Sequence, residues 1–242
     1  MERSVYAIDA AVEQTHWWFR GRRRLFAREL QRQGVTSCAC TLDTGTSAGT
    51  NLRMLRDLGF QRVTGLDISE DAIAFCQEKG LGLVKRGDIC SMPFADESFD
   101  LVLATDVVEH VEDDGRALRE IARVLKPGGV VLLTVPAFAV LWGLQDRVSR
   151  HKRRYRLGQL VEKVEIAGLH VSRAYYFNYL LFLPILVARR VIDRLGIALQ
   201  SESQVNSPLI DRVLSAIFAW DIRSAPVIRP PFGVSILMLA GK

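Results

Sequence analysis

Three carboxylates mark the chemistry open to this chain. Asp43 lies in Leu42-Asp43-Thr44-Gly45-Thr46-Ser47-Ala48-Gly49-Thr50-Asn51, Asp67 in Gly65-Leu66-Asp67-Ile68 and Asp88 in Gly87-Asp88-Ile89. Each closes a short aliphatic or β-branched run, so each is expected where a strand ends. Gly45 and Gly49 enclose small residues, which lets backbone approach a ligand closely. Ser47, at the middle of that turn, is expected to keep an ordinary φ. The spacing is not GxGxxG, and no Gly-Lys-Ser/Thr follows, so neither the dinucleotide fingerprint nor the phosphate P-loop applies. A carboxylate at Asp67 can accept both hydrogen bonds of a ribose diol. A row of acids would repel pyrophosphate and suits a ligand that is cationic, amine-bearing and free of phosphate. A second candidate is Thr105-Asp106-Val107-Val108-Glu109-His110. His110 is the natural proton acceptor near neutral pH, and Glu109 either orients it, binds a ligand or shares a structural role with it.

These groups need elements to hold them. Strands are expected over Cys38–Asp43, Val63–Asp67, Leu83–Arg86, Phe99–Thr105 and Val130–Val135. Between them, Thr50–Leu58 has leucines three apart and closes on Gly59, and Ser69 caps a helix with Glu70 and Asp71 in its first turn. A further helix with Leu118, Ile121, Ala122 and Leu125 on one face stops at Lys126-Pro127-Gly128-Gly129. Strict alternation, with strands apolar on both sides, means a parallel sheet covered by helices: a doubly wound α/β domain whose ligand lies at the carboxyl ends of the strands. Beyond Pro136 come a basic and aromatic connection (136–158), a helix over Leu160–Ala167, a strand over His170–Tyr176, helices near 179–197 and 208–222, and a strand over Gly233–Ala240. Residues 1–37 read as a helical lid segment before the domain at 38–242, which carries a helical insertion at about 177–232.

Composition narrows the class. The chain has 242 residues, 49% hydrophobic and 24% charged, too apolar for a disordered chain. Cys38, Cys40, Cys76 and Cys90 make no CxxC pair, which argues against a zinc finger and a secreted disulfide scaffold and for a reducing, cytoplasmic setting. The start, MERSVYAIDAAVEQ, lacks the order of a signal peptide. The uncharged run Ala174–Ala188 falls short of the roughly 20 residues that cross a bilayer. Net charge is +5, concentrated at Arg20–Arg32 and Arg147–Arg156, and two basic blocks suggest an anionic partner.

S-adenosylmethionine is a phosphate-free nucleoside with a cation and an amine, as the acidic rim demands. Asp43-x-Gly45-x-x-x-Gly49, Gly65-x-Asp67, Gly87-Asp88-Ile89, Met92-Pro93-Phe94, Ser98-Phe99-Asp100, Glu109-His110 and Leu125-Lys126-Pro127-Gly128-Gly129 resemble, in order, the blocks of class I S-adenosylmethionine-dependent methyltransferases of the type 11 kind. The resemblance spans about residues 38–140. It implies a Rossmann-like sheet of seven strands, helices on both faces, with the last strand antiparallel. It places Asp43, Gly45, Thr46, Ser47 and Gly49 beside the methionine moiety, Asp67 and Ile68 at the ribose, Asp88 and Ile89 at the adenine, and Thr105 near the amino-acid end. No metal is expected.

The acceptor is less specified. His16-Trp17-Trp18-Phe19-Arg20-Gly21-Arg22-Arg23-Arg24 has three consecutive aromatics that cannot share one helix face. They are expected either to lid the active site or to pack on the sheet's edge. His151-Lys152-Arg153-Arg154-Tyr155 follows the fifth strand on the same rim. Trp17, Trp18, Arg20, Arg22, His151, Arg153, Arg154 and Tyr155 are the candidate acceptor-binding set, suited to a phosphate or carboxylate. Both segments together resemble a bacterial subgroup of the family. Residues 174–199 join an apolar body to Arg189, Arg190 and Arg194, which fits either core or oligomer contact or a peripheral place at the inner membrane face. The leading reading is a methyltransferase for a small-molecule or lipid-linked, anionic acceptor. The alternatives are an RNA methyltransferase, for which no base-amine motif or RNA-binding module is seen, a non-catalytic S-adenosylmethionine binder and a nicotinamide oxidoreductase.

Overall fold

The computed structural model describes residues 12–195 and 208–242. The first eleven residues of the expected helical lid segment (1–37) and the stretch 196–207 of the expected helical insertion lie outside them. Helix α1 (Trp17–Arg32) precedes β1 (Cys40–Thr44), α2 (Thr50–Asp57), β2 (Arg62–Asp67), α3 (Glu70–Glu78), β3 (Leu83–Arg86), β4 (Phe99–Thr105), α4 (Asp114–Val124) and β5 (Leu125–Pro136). Then follow α5 (Leu144–Val148), α6 (Leu157–Ile166), β6 (His170–Phe177), α7 (Phe182–Leu195), α8 (Pro208–Ile228) and β7 (Ser235–Gly241), with single 3-10 turns at Val108–His110 and Ala139–Leu141.

Local sequence explains the boundaries. Ser69 accepts from the Ala72 N–H at the start of α3, and Asp113 accepts from the Arg116 N–H at the start of α4. Gly59 turns the chain after α2 at φ +85°. The expectation for Ser47 is overturned: it takes φ +49°. Its N–H donates to Asp67 Oδ2 at 2.9 Å and its carbonyl accepts from Cys76 Sγ at 3.5 Å, so tertiary bonds hold a conformation that glycine would take more cheaply.

The seven strands run β3-β2-β1-β4-β5-β7-β6. All neighbours are parallel except β7, which is antiparallel to both β5 and β6. The order reverses between β1 and β4, which opens the ligand crevice of a doubly wound sheet there. Alternate residues build the two core layers. Leu42, Val102, Val131 and Met238 pack with Leu118 and Ile121 of α4 and Leu160 and Val164 of α6. Leu101, Leu103, Leu132 and Leu237 pack on the other face with Leu25, Phe26 and Leu30 of α1, Met54 and Leu55 of α2 and Phe218 of α8. Gly21 is where α1 meets α8: a β-carbon there would come within 2.1 Å of the Phe218 ring.

Candidate functional site

A cavity of about 430 Å³ opens at the reversal of strand order. The turn after β1 (Gly45, Thr46, Ser47, Ala48) and Asn51 form one wall, and Thr105, Asp106, Glu109 and His110 after β4 form the floor. His151, Arg154, Gln145 and Ser149 close it beyond β5. Trp17, Trp18, Phe19 and Arg22 of α1 cover it, and Ile185, Ala188 and Ile192 of α7 with Leu214 of α8 give an apolar side.

The cavity lining and the layer behind it hold acceptors. Asp43 is fully buried, and burial pushes its carboxyl up to about 7 against the pull of its bond from Asn51. Asn51 Nδ2 donates to Asp43 Oδ1 at 2.9 Å and to Thr105 Oγ1 at 2.8 Å, tying β1 to β4. Asp43 Oδ2, Thr46 Oγ1 and both Glu109 oxygens are buried without a hydrogen-bond partner. Burial, then the nearby Asp106, raises Glu109 well above the usual carboxylate range. Buried polar atoms are rarely left unpaired. These are carboxylates and a hydroxyl, so the group that completes them must bring donors or positive charge. That is the character of S-adenosylmethionine, so the residues present fit it.

The rim is graded. Asp67 accepts from the Ser47 and Ser69 N–H groups, both at 2.9 Å, and so fixes the turn to β2. Ile68 beside it is 65% exposed, an apolar surface waiting for a cover. Asp88 is exposed and accepts from Cys90 N–H, while Ile89 is buried. Gly49 starts α2 in the left-handed region at φ +85°, with Leu81 and Cys76 filling the space beside it. Asp43, Gly49, Asp67, Ile68, Asp88 and Ile89 lie outside the cavity lining, whereas Gly45, Thr46, Ser47 and Thr105 line it.

The acceptor end joins two segments. His110 and His151 rings lie 4.7 Å apart, edge to face. Burial, then the neighbouring His151, lowers His110 to about 4, so it is neutral at physiological pH. The Ser149 backbone beside it acts weakly in the opposite direction. His151 Nδ1 lies 2.9 Å from Asp146 Oδ1, and its Nε2 lies 3.9 Å from Glu109 Oε1. Arg154 grips Asp146 with two bonds, at 2.7 and 2.9 Å. Burial would raise Asp146, but these bonds from His151 and Arg154 overcome it and hold the carboxyl far below its usual range.

The aromatic triplet both packs and lines. Trp18 stacks on Phe177, Trp17 meets Phe218 edge-on, and both still face the cavity with Phe19. Arg22 lies between the Trp18 and Phe26 rings, pairs with Asp106 at 2.7 Å and donates to Thr134. Three of the expected acceptor residues are elsewhere. Arg20 pairs with Asp211, Arg153 with Asp114, and Tyr155 is buried with its hydroxyl on Asp114. The basic blocks are largely neutralised within the fold, since Lys152, Arg153 and Arg154 meet Glu112, Asp114 and Asp146. Asn51 and Asp106 lie in the segments read from the sequence but had no role assigned there, and Asp146 is the site residue that sequence reasoning missed. Asn51 had a legible signal, an amide in the first turn after the loop. Asp146 had none, because its partners come from a connection without periodicity.

A family model described as a methyltransferase domain matches residues 42–133. An Encephalitozoon cuniculi protein designated a methyltransferase is 34% identical over 172 residues, 70% of this chain and 73% of that protein. A Mycolicibacterium smegmatis protein designated an S-adenosylmethionine-dependent methyltransferase is 29% identical over 166 residues, 66% of this chain. The chain spans only 62% of that relative's length. The fold also matches the methyltransferase solved with the Haloferax volcanii Trm112 activator, with a TM-score of 0.65 at 24% identity, over 98% of this chain and 94% of that one.

Proposed function

This chain belongs to the class I S-adenosylmethionine-dependent methyltransferase family, and from that premise we propose that it methylates a small-molecule or lipid-linked acceptor bearing an anionic group. The observation that carries the reading is a set of buried, unpartnered acceptor atoms at the strand ends: Thr46 Oγ1 and the Glu109 carboxyl in the cavity lining, and Asp43 Oδ2 behind it. Asp43, through Asn51 and Thr105, holds the cationic amino-acid end, with Gly45, Thr46, Ser47 and Gly49 giving the close backbone approach. Asp67 takes the ribose diol with Ile68 beside it, Ile89 flanks the adenine, and Asp88 accepts from its amine. When bound, the cofactor supplies a methyl carbon on a sulfonium, whose bonding pair returns to sulfur as the acceptor's lone pair takes the carbon.

The protein's own part is alignment, exclusion of water and proton removal. His110 accepts the acceptor's proton at a ring nitrogen, and Glu109 orients the acceptor. Trp17, Trp18 and Arg22 cover the site, and His151 and Arg154 border the acceptor. An apolar acceptor tail is supported by Ile185, Ala188 and Ile192, which line the α7 side of the cavity. No helix among the described residues is long and apolar enough to cross a membrane. The outer face of α7 nonetheless presents Leu183, Val187, Val191 and Leu195, four apart and 46–69% exposed, beside the exposed Arg190 and Arg194. That face suits a peripheral place on an anionic bilayer.

Calorimetry with S-adenosylmethionine and with NAD tests the cofactor. Micromolar binding of the first alone is expected, and binding of NAD alone would sink the proposal. In an acceptor assay His110→Ala should lose at least about tenfold in kcat, and unchanged turnover removes the proton-acceptor role. Flotation with anionic liposomes at low salt tests the α7 face, and failure to bind rules it out.

A further inference from the structure

An anionic acceptor needs a positive partner, and the arginines nearest the acceptor end are already engaged. Arg22 is bound to Asp106, and Arg154 and Arg189 to Asp146. We infer that Glu109, His110 and His151 together form a binding site for a divalent first-row transition-metal cation. The use of that cation, to hold the acceptor's anionic oxygen beside the methyl group, rests on the methyltransferase reading, but the site itself does not.

Four observations carry the inference. One donor atom from each of the three side chains lies within 4.8 Å of the other two. Metal bonds of about 2.0–2.2 Å set ligand atoms roughly 3–3.5 Å apart, so side-chain rotations of an ångström or so would close the set. Glu109 is fully buried, and neither of its oxygens has a hydrogen-bond partner. An unpaired carboxyl at that depth is costly unless a charge or a donor completes it.

The remaining two observations concern the outer shell. The His151 imidazole has one nitrogen fixed from behind, its Nδ1 facing Asp146 Oδ1 at 2.9 Å. Its Nε2, 3.9 Å from Glu109 Oε1, then carries the lone pair. Metal-bound histidines have this arrangement, in which an outer carboxylate or carbonyl sets the tautomer and the ring angle. Finally, Asp146 is itself locked by two bonds from Arg154 and one from the Gly143 N–H. The strongly bound Asp146 also neutralises the guanidinium nearest the site. Two imidazoles and a carboxylate select zinc, cobalt, manganese or iron over calcium or magnesium. With a cation in place His110 serves as ligand, and a coordinated acceptor hydroxyl loses its proton to solvent because the cation lowers its pKa.

The probe is Co²⁺ added to the full-length protein after chelator treatment, followed by visible d–d absorption and by calorimetry. One equivalent should bind, with bands characteristic of nitrogen and oxygen ligation. His151→Ala should weaken binding at least tenfold. Asp146→Asn, which leaves all three ligands in place, should weaken it about ten- to a hundredfold. His170→Ala, on β6 away from the cavity, should change nothing. Absence of d–d bands in the folded wild-type protein overturns the inference, as does binding that His110→Ala and His151→Ala leave intact. Calorimetry of S-adenosylmethionine on the metal-free protein separates the two readings. Cofactor binding without Co²⁺ binding sinks this inference alone, whereas Co²⁺ binding without cofactor binding upholds the site and sinks the proposed activity.

Discussion

Asp43→Asn should make the protein more resistant to alkaline conditions while making it worse at holding its cofactor. The carboxyl is fully buried, and burial carries it from 3.8 to about 7. Between about pH 4 and 7 the folded chain therefore keeps a proton that the unfolded chain has released. Stability falls as pH rises through that window and levels off above it. At about 1.4 kcal/mol for each pH unit, the loss approaches ~4 kcal/mol by about pH 8. Asparagine does not titrate, yet its Oδ1 can still accept from Asn51. The difference between the two proteins isolates this one group from every other titration in the chain. Urea unfolding, followed by tryptophan fluorescence at intervals from about pH 4.5 to 8.5, reads it as a change in midpoint at constant slope. The gap between Asp43→Asn and wild type should move toward the variant by a few kcal/mol across that range. Saturating S-adenosylmethionine should restore the wild type at high pH and help the variant much less, because a cation beside Asp43 favours the ionised form. Parallel midpoint-versus-pH curves for the two proteins would refute the assignment of Asp43 as a buried, proton-retaining acid.

Gly21→Ala should cost about 1–3 kcal/mol in urea unfolding, because its methyl would meet Phe218 at 2.1 Å. Phe218→Leu in the same chain should recover part of that loss, and strict additivity would show that α1 and α8 do not touch there. Asn51→Ala removes the amide shared by Asp43 and Thr105. Its cofactor affinity should drop about tenfold or more by calorimetry, as expected when buried partners lose a hydrogen bond. Arg22→Met keeps an apolar side chain between Trp18 and Phe26 but leaves Asp106 unpaired. KM for acceptor or cofactor should rise while the unfolding midpoint moves little, and a large fall in stability with unchanged KM would contradict its place in the site.

Much of the sheet was legible because its residues obey short-range rules. Leu83–Arg86 and Phe99–Thr105 fall where the aliphatic runs put them. The Ser69 cap and the Gly59 stop act through their own turns. Asp67, the last residue of β2, follows from the strand's end and needs no knowledge of tertiary contacts. Residues governed by distant partners escaped. Ser47 takes a left-handed φ because Asp67 and Cys76 hold it, and nothing in its neighbours in sequence says so. The segment from 136 to 158 reads as a connection, yet it contains α5 and the buried Asp146 that organises His151 and Arg154. Its cations look like a free basic patch until their acidic partners from α4 and α5 are placed. Apolar residues of α7 read either as core or oligomer contact or as a membrane face, and the fold turns Leu183 and Leu195 outward.

Strand β7 lies between β5 and β6, so among the described residues β6 is tied to the sheet through β7 alone. That strand carries Phe177, the ring on which Trp18 rests beside the cavity. During synthesis on the ribosome, β6 must wait, edge unpaired, through the making of α7 and α8 before its only neighbour emerges. The aromatic seat of the cavity is thus completed late, and a chain stalled in the helical excursion would already display the acidic loops without a closed chamber between them.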